Sequence, residues 1–478
     1  MIRCLAILMM ILLTAPANAQ TSRLELGRRL QRFERAWEVA APAERVNSVE
    51  PLKVAVTSFF SLNLAEAGRQ LDRAWLAVRG KQATALENEV LSLQFLPAPV
   101  CADVTVTTMT LQARPFYDND KPLADDVRVR VSLRDANGTV LKESDFALND
   151  QSNPAAWETG VLPEGDHRLT VTFVRDSETY ELPAITVSRI AALDDRLSSL
   201  EKAAASLKAS ASDDLHRTMA ATLRDEVRLI RNLSQGRLQE ADFPILSRLQ
   251  FSESLAHDTV DPTALANSVA GKSDVWMTLA KGTKTASVRL RFPASLKKPI
   301  PVLFVFHGAG GSENMFFETY GAGRVIREAE KRGWLVVSPG QGMFGLSLGI
   351  SDMLDVLEPF AKLDRSRIMV LGHSMGAAQV MTQVQKHPSL PIAAVALGGG
   401  SRMAVKDPSQ APKAHWFVAA GEQDFGRSGA RQLHRSLTDA GLQSQYRDYP
   451  DVEHLVIVQA AIDDSFKFLD EVLSGVKD

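Results

Sequence analysis

The chain has 478 residues, too many for a single compact core, and its length points to about two to four domains. With 45% hydrophobic and 23% charged residues it has the composition of an ordinary globular protein, and a formal net charge of −3 gives no electrostatic case for nucleic acid or an anionic membrane surface. Two cysteines and no H-E-x-x-H or paired-cysteine spacing make no metal site legible, so neither metal nor cofactor is expected.

Met1, Ile2 and Arg3 form a short basic head, residues 4–13 an apolar run of signal-peptide length, and Ala17-Asn18-Ala19 an A-x-A cleavage pattern. Residues 1–19 are therefore expected to be a signal peptide. Export to periplasm or medium follows, with a mature start at Gln20 and no membrane span after its removal. Losing Cys4 leaves Cys101 alone, so no internal disulfide can form, and Cys101 at a strand start reads as a buried inert thiol.

Residues 20–95 carry a helical period. Leu26, Leu30, Phe33 and Trp37 share one face, and Leu64, Leu71, Trp75 and Val78 repeat the spacing after Phe59 and Phe60, predicting a small helical bundle. Near Pro97 the period becomes two. Residues 103–107 and 127–133 alternate, Asn137-Gly138 marks a hairpin, and a turn at 162–166 leads into another alternating run. Residues 96–190 are predicted to form a small antiparallel β-sandwich, which resembles an immunoglobulin-like or fibronectin-like module at the level of fold. Tyr117, Trp157 and Tyr180 read as core or edge aromatics, with glycan or cell-envelope contact through the sandwich as the sharper alternative. In residues 191–270 the helical period returns. Leu193, Leu197, Leu200, Ala204 and Leu207, then Leu215, Met219, Leu223, Val227 and Ile230, predict an antiparallel helical hairpin followed by a connector.

Residues 271–478 alternate between strand and helix patterns. Runs at 275–280 and 286–292 predict a leading antiparallel hairpin. Near-continuous apolar runs at 301–306, 334–337, 368–371, 393–397 and 416–420 predict buried parallel strands, with a last strand at 445–449. In such α/β sheets the chemistry sits at the carboxyl ends of the strands. Those ends carry His307-Gly308-Ala309-Gly310-Gly311, then Ser374 within Gly372-His373-Ser374-Met375-Gly376, then Asp424, then His454. The five-residue G-x-S-x-G pattern alone arises in roughly one chain in ten of this size. Its order after a glycine-rich loop and before an acid and a histidine is what gives it meaning. Serine is a poor nucleophile at neutral pH, so His454 is expected to take its proton and return it to the leaving alcohol. Asp424 would fix the imidazole tautomer, with Glu422 and Asp451 as rivals. The backbone N–H groups of Ala309 and Met375 would hold an oxyanion, while His307 and His373 read as structural.

On these residues, and on Leu363-Asp364-Arg365-Ser366-Arg367-Ile368 leading into the serine turn, residues 301–478 resemble the α/β-hydrolase serine esterases of the polyhydroxybutyrate-depolymerase and feruloyl-esterase group, with S-formylglutathione-hydrolase-type relatives. The resemblance implies an α/β-hydrolase domain, a triad of Ser374, His454 and Asp424, an acyl-enzyme intermediate and hydrolysis of carboxylic esters. It covers about two fifths of the chain, and the first 270 or so residues match no family pattern. Many lipases place a helical lid in the interval that here is the short connector 398–414, so an open serine suited to bulky or polymer-linked esters is expected, the alternative being that the N-terminal helices pack over the cleft instead. Two other functions compete. One is a serine peptidase of the prolyl-oligopeptidase type, which shares this domain but carries β-propeller repeats that this chain lacks. The other is a non-catalytic binding or adhesion protein with a relic hydrolase domain.

Overall fold

The computed structural model describes residues 17–119, 124, 126–147, 154–210, 213–237, 241–257, 261–342, 345–404 and 412–475. The expected signal segment up to residue 16 lies outside the described residues, as does 405–411 of the connector. No described helix is long and apolar enough to cross a membrane.

Helices α1 (Ala17–Val39), α2 (Val49–Phe60) and α3 (Leu64–Val78) open the chain. Leu26, Leu30, Phe33 and Trp37 of α1, Leu52 and Ala55 of α2, and Ala67, Leu71 and Ala74 of α3 share one core, as helical spacing requires. Asn63 caps α3 by accepting the Glu66 N–H. The charged side of α1 is buried too. Arg29 donates to Glu25 at 2.7 Å, to Asp72 at 3.1 Å and to the carbonyls of Leu91 and Leu93. Arg32 and the Tyr117 hydroxyl complete the shell of Asp72. Charges this deep are tolerated only when paired, so the network fixes how α1 lies against α3. A short helix, α4 (Ala85–Val90), follows behind a Thr84–Glu87 capping box.

Nine strands come next: β1 (Leu93–Ala98), β2 (Cys101–Asp103), β3 (Thr108–Pro115), β4 (Arg128–Arg134), β5 (Val140–Ala147), β6 (Ala155–Glu158), β7 (Gly165–Arg175), β8 (Glu178–Glu181) and β9 (Ile185–Ile190). One sheet has the order β1-β3-β6, the other β2-β9-β7-β4-β5 with β8 paired to β7. Alternate residues Met109 and Leu111 of β3, Val129 and Val131 of β4, and Leu169 and Val171 of β7 fill the space between them, which makes a sandwich. One edge departs from the antiparallel expectation, because β2 runs parallel to β9. Trp157 lies in this core with Nε1 donating to Ser144 at 3.0 Å, Tyr180 packs edge-on against Trp75 of α3, and Tyr117 is held by Asp72. The three aromatics serve the interior and form no exposed platform for a glycan. Cys101 is fully buried, and burial pushes its thiol up to about 12, which leaves it inert.

Helices α5 (Leu193–Ser210) and α6 (Asp214–Ser234) pack on each other, and α7 (Ile245–Leu255) and α8 (Pro262–Val269) complete the connection. The last sheet contains β10 (Val275–Lys281), β11 (Lys284–Arg291), β12 (Ile300–Phe306), β13 (Leu335–Pro339), β14 (Leu363–His373), β15 (Pro391–Leu397), β16 (His415–Gly421) and β17 (Ser444–Tyr449), in the order β10-β11-β13-β12-β14-β15-β16-β17. The first two strands are antiparallel and the other six run parallel. Strand β10 is an edge, and α6 covers it. Thr222 and Thr218 accept its Thr278 and Ala280 N–H groups at 3.0 and 2.9 Å, which removes an open template for pairing.

The central parallel strands are buried on both faces, which is why their sequences are apolar where they cross the sheet, whereas the edge strand β17 is polar and half exposed. Phe304, Val337, Val370 and Val418 face α10 (Ile350–Leu357), α11 (Met375–Lys386) and α12 (Arg427–Asp439). Leu303, Val336, Met369 and Phe417 share the opposite core with α9 (Arg324–Lys331) and α13 (Ile457–Ser474). That second core is continuous with the core of α1–α3. In-register pairs Phe306–Gly372, Gly372–Ala396 and Gly421–Tyr449 bring the carboxyl ends of the strands to one rim. The chain leaves β12 to one side for β13 and then returns to its other side for β14. The crevice at that switch point is where such sheets bind ligands.

Candidate active site

Ser374 lies between β14 and α11, as the N-cap of the helix, with φ 56° and ψ −116°, a conformation sparsely populated by side-chain-bearing residues. Holding it costs on the order of 1–3 kcal/mol, supplied by the surrounding fold. Its N–H donates to Leu397 O at 2.9 Å and its carbonyl accepts from Ala377 N at 3.0 Å. The flanking glycines are demanded by close approach. A Cβ on Gly376 would run into the Phe306 carbonyl, and one on Gly372 into the Gly376 carbonyl. Met375 is the first residue of α11, so its N–H is among those with no partner inside the helix.

Asp424 follows β16 and is buried. Its Oδ1 accepts from His454 Nδ1 at 2.7 Å and from Gly426 N at 2.6 Å. Of the three carboxylates left open by the sequence, this is the one on His454. Glu422 and Asp451 are both exposed, and Glu422 lies 3.5 Å from Arg427. Burial pushes the Asp424 carboxyl up, but the His454 hydrogen bond and charge and the Gly426 N–H outweigh it, so its pKa sits below the ordinary value. Gly398 makes room for the pair. It has φ +60°, and a Cβ there would lie 2.8 Å from Asp424 Oδ2. With Nδ1 donating to a carboxylate, the neutral ring keeps Nε2 as its basic nitrogen. His454 and Ser374 line the same cavity.

Two other histidines hold the rim in shape. His373 is buried, its ring is pushed down to about 3 by burial, and its Nε2 lies 2.9 Å from the His454 carbonyl. A neutral ring must therefore donate there, tying the serine turn to the histidine turn. His307 is pushed down to about 4 by burial, accepts from Gln341 N at Nε2 and sits 2.8 Å from Gly308 O. It sets the shape of the glycine-rich loop, in which Ala309 lines the cavity and Gly308 N donates to the Tyr320 hydroxyl at 3.3 Å. Among the described residues no group of three His, Cys, Asp or Glu side chains could hold a metal ion.

Residues 302–470 match the family model described as the alpha/beta hydrolase family. The C-terminal domain is an α/β hydrolase. Solved structures similar to it include a ferulic acid esterase, at 18% identity over 42% of this chain and 98% of that one with a TM-score of 0.37. An S-formylglutathione hydrolase from Staphylococcus aureus matches at 15% identity over 42% and 99% with a TM-score of 0.33. A ferulic acid esterase from Anaeromyces mucronatus matches at 13% identity over 42% and 92% with a TM-score of 0.35. No curated protein matches the chain.

The α/β hydrolase does not present its serine openly, which corrects the expectation drawn from the short connector. Ser374 and His454 line a cavity of about 360 Å³ whose walls are shared between the hydrolase domain, chiefly the glycine-rich loop and the segment up to Tyr320, and helices α1, α2 and α3. Phe59, at the end of α2, lies over the glycine-rich loop, where a Cβ on Gly310 would come within 2.6 Å of its ring. Phe60 meets Phe425 edge-on at 6.2 Å, and Phe425 lies tilted against His454 with ring centroids 4.0 Å apart. The cover comes from more than 250 residues upstream, so no inspection of the interval after β15 could find it. In the sequence its only local trace is the Phe59-Phe60 pair closing an amphipathic helix.

Proposed function

We propose that this protein is an exported serine hydrolase of carboxylic esters. The observation that carries the reading is the 2.7 Å contact between His454 Nδ1 and a buried Asp424, on the same cavity as a serine held in a strained strand-to-helix turn. In this reading Ser374 Oγ attacks the ester carbonyl as His454 Nε2 takes its proton. The N–H groups of Met375 and Ala309 receive the oxyanion of the tetrahedral intermediate. Collapse expels the alcohol, which takes the proton back from His454 and leaves an acyl-Ser374 ester. Water, deprotonated by the same histidine, then releases the acid and restores the serine. Asp424 stays ionised throughout and stabilises the imidazolium. Export is supported by the basic head, apolar run and Ala17-Asn18-Ala19 pattern.

The test is turnover of p-nitrophenyl acyl esters by the full chain, with Ser374→Ala as the control and a fluorophosphonate probe as an independent readout. Ester turnover and labelling that both vanish in Ser374→Ala are expected. A wild-type protein that hydrolyses no ester and ignores the probe would overturn the reading, and a preference for peptide bonds would move it to a peptidase. N-terminal sequencing of protein recovered outside the cytoplasm should begin at Gln20.

A further inference from the structure

We propose that helices α1–α3 form the selectivity pocket of this hydrolase, receiving an apolar acyl chain of several carbons, so that the substrate is a single-molecule ester and not a polymer-linked one. This rests on the serine-esterase reading above. The three N-terminal helices contribute Leu30, Val56, Phe59 and Leu71, all apolar, to the lining of the cavity that Ser374 shares, with Arg23, Arg28 and Gln31 of α1 as its polar part. The volume, about 360 Å³, lies in the range of small-molecule sites, which run from roughly 300 to 1,000 Å³. Walls on several sides leave such a chamber suited to a chain end and not to a strand passing through.

Gly27 supplies an independent observation. It sits mid-way along α1, where glycine costs about 1 kcal/mol relative to alanine. Its backbone does not need glycine, because it lies outside the left-handed region. Packing does not need it either, since a Cβ there would meet only Thr319 Oγ1, at an ordinary 3.7 Å. Yet Gly27 lines the cavity. The missing side chain therefore has no structural beneficiary, and what it leaves is room in the cavity that Ser374 lines. At the opposite wall, Gly310 is in the left-handed region and is sized to the Phe59 ring, so the loop and the cover are shaped to each other.

The test uses the full chain and p-nitrophenyl acetate, butyrate, hexanoate and octanoate. In the wild type kcat/KM should rise about fourfold per added methylene until the pocket is full. Gly27→Leu adds apolar volume to the pocket while improving helix propensity, so it should fold at least as well as wild type by thermal melt. It should lower the octanoate-to-acetate ratio of kcat/KM by at least about tenfold. Val56→Phe, from a second helix, should move the same ratio the same way. A flat or falling chain-length series in wild type, or an unmoved ratio in a folded Gly27→Leu protein, overturns the pocket while leaving the esterase reading intact. Absence of any ester turnover and of fluorophosphonate labelling in wild type sinks both.

Discussion

Replacing Asp424 by asparagine separates two things a carboxylate can do for His454. Both partners of Asp424 Oδ1 are donors, the His454 ring at 2.7 Å and the Gly426 N–H at 2.6 Å. An asparagine would settle with its carbonyl oxygen in that place and its amide nitrogen at the Oδ2 position. The hydrogen bond that selects the tautomer then survives, and what is lost is the charge facing an imidazolium in the transition state. Two unit charges about 4 Å apart at an effective dielectric constant of about 20 attract by about 4 kcal/mol. That corresponds to a fall in kcat on the order of 10³-fold. Asp424→Ala removes the hydrogen bond as well and should lose more. The assay is kcat and KM on p-nitrophenyl acetate, with a thermal melt to establish that each variant is folded. A folded Asp424→Asn enzyme within about tenfold of wild type would refute the argument, because no close charge could then matter so little.

Asp72→Ala should destabilise by about 3 kcal/mol in urea unfolding, since it removes one of the two carboxylates on the buried Arg29, which it now meets at 3.1 Å, and leaves the Tyr117 hydroxyl without its acceptor. An effect under about 1 kcal/mol would mean that water reaches the network. Glu453 is pushed up by burial to about 7 from an ordinary 4.5, so the folded state holds its proton more tightly than the unfolded chain. Its stabilising contribution is fully present below about pH 4.5 and is lost as pH rises through 7. Glu453→Gln should therefore remove up to about 3 kcal/mol of the decline in stability across that window, read from melts at several pH values. A decline of unchanged slope would contradict it. Deleting everything before residue 271 uncovers the Met315–Gly323 segment that α1 packs on and the β10 edge that α6 covers, and the isolated hydrolase should aggregate or melt well below the full chain. Equal melting temperatures would show the shared core to be dispensable.

The central strands of the last sheet were legible because burial on both faces writes them as apolar runs, each followed by a turn. Ser374, Asp424 and His454 were legible for a related reason: each follows a strand end, so local pattern and sheet topology together bring them to one rim. The strand pair β2 and β9 was not, since three residues from Cys101 to Asp103 are too few to show a period or a direction. Nor was the polar core of α1. Arg29 sits on the flank of the Leu26–Phe33 stripe, and nothing local shows that its partner is Asp72 on another helix. Phe59 and Phe60 fail for the same reason, because what they touch lies far along the chain. The open-serine expectation went wrong here, at a contact of high sequence separation that no local pattern encodes.

The way α1 is held decides what kind of cover it is. A lid that swings must separate from its neighbours at modest cost, and lids are drawn from the least stable parts of a fold. Helix α1 is tied on every side. Arg29 and Arg32 bind it to Asp72 of α3, Gln31 donates to Glu318 O at 2.7 Å, and Glu38 pairs with Arg324 at 3.4 Å. Lifting it would leave the buried Arg29 and Asp72 without each other, a cost of about 3–5 kcal/mol before any apolar surface is counted. The helices therefore act as a fixed wall of the cavity that Ser374 lines. A fixed wall selects by size and polarity on every turnover, with no closing step to wait for. For that reason the chain-length dependence should appear in kcat/KM with no lag and no interfacial activation.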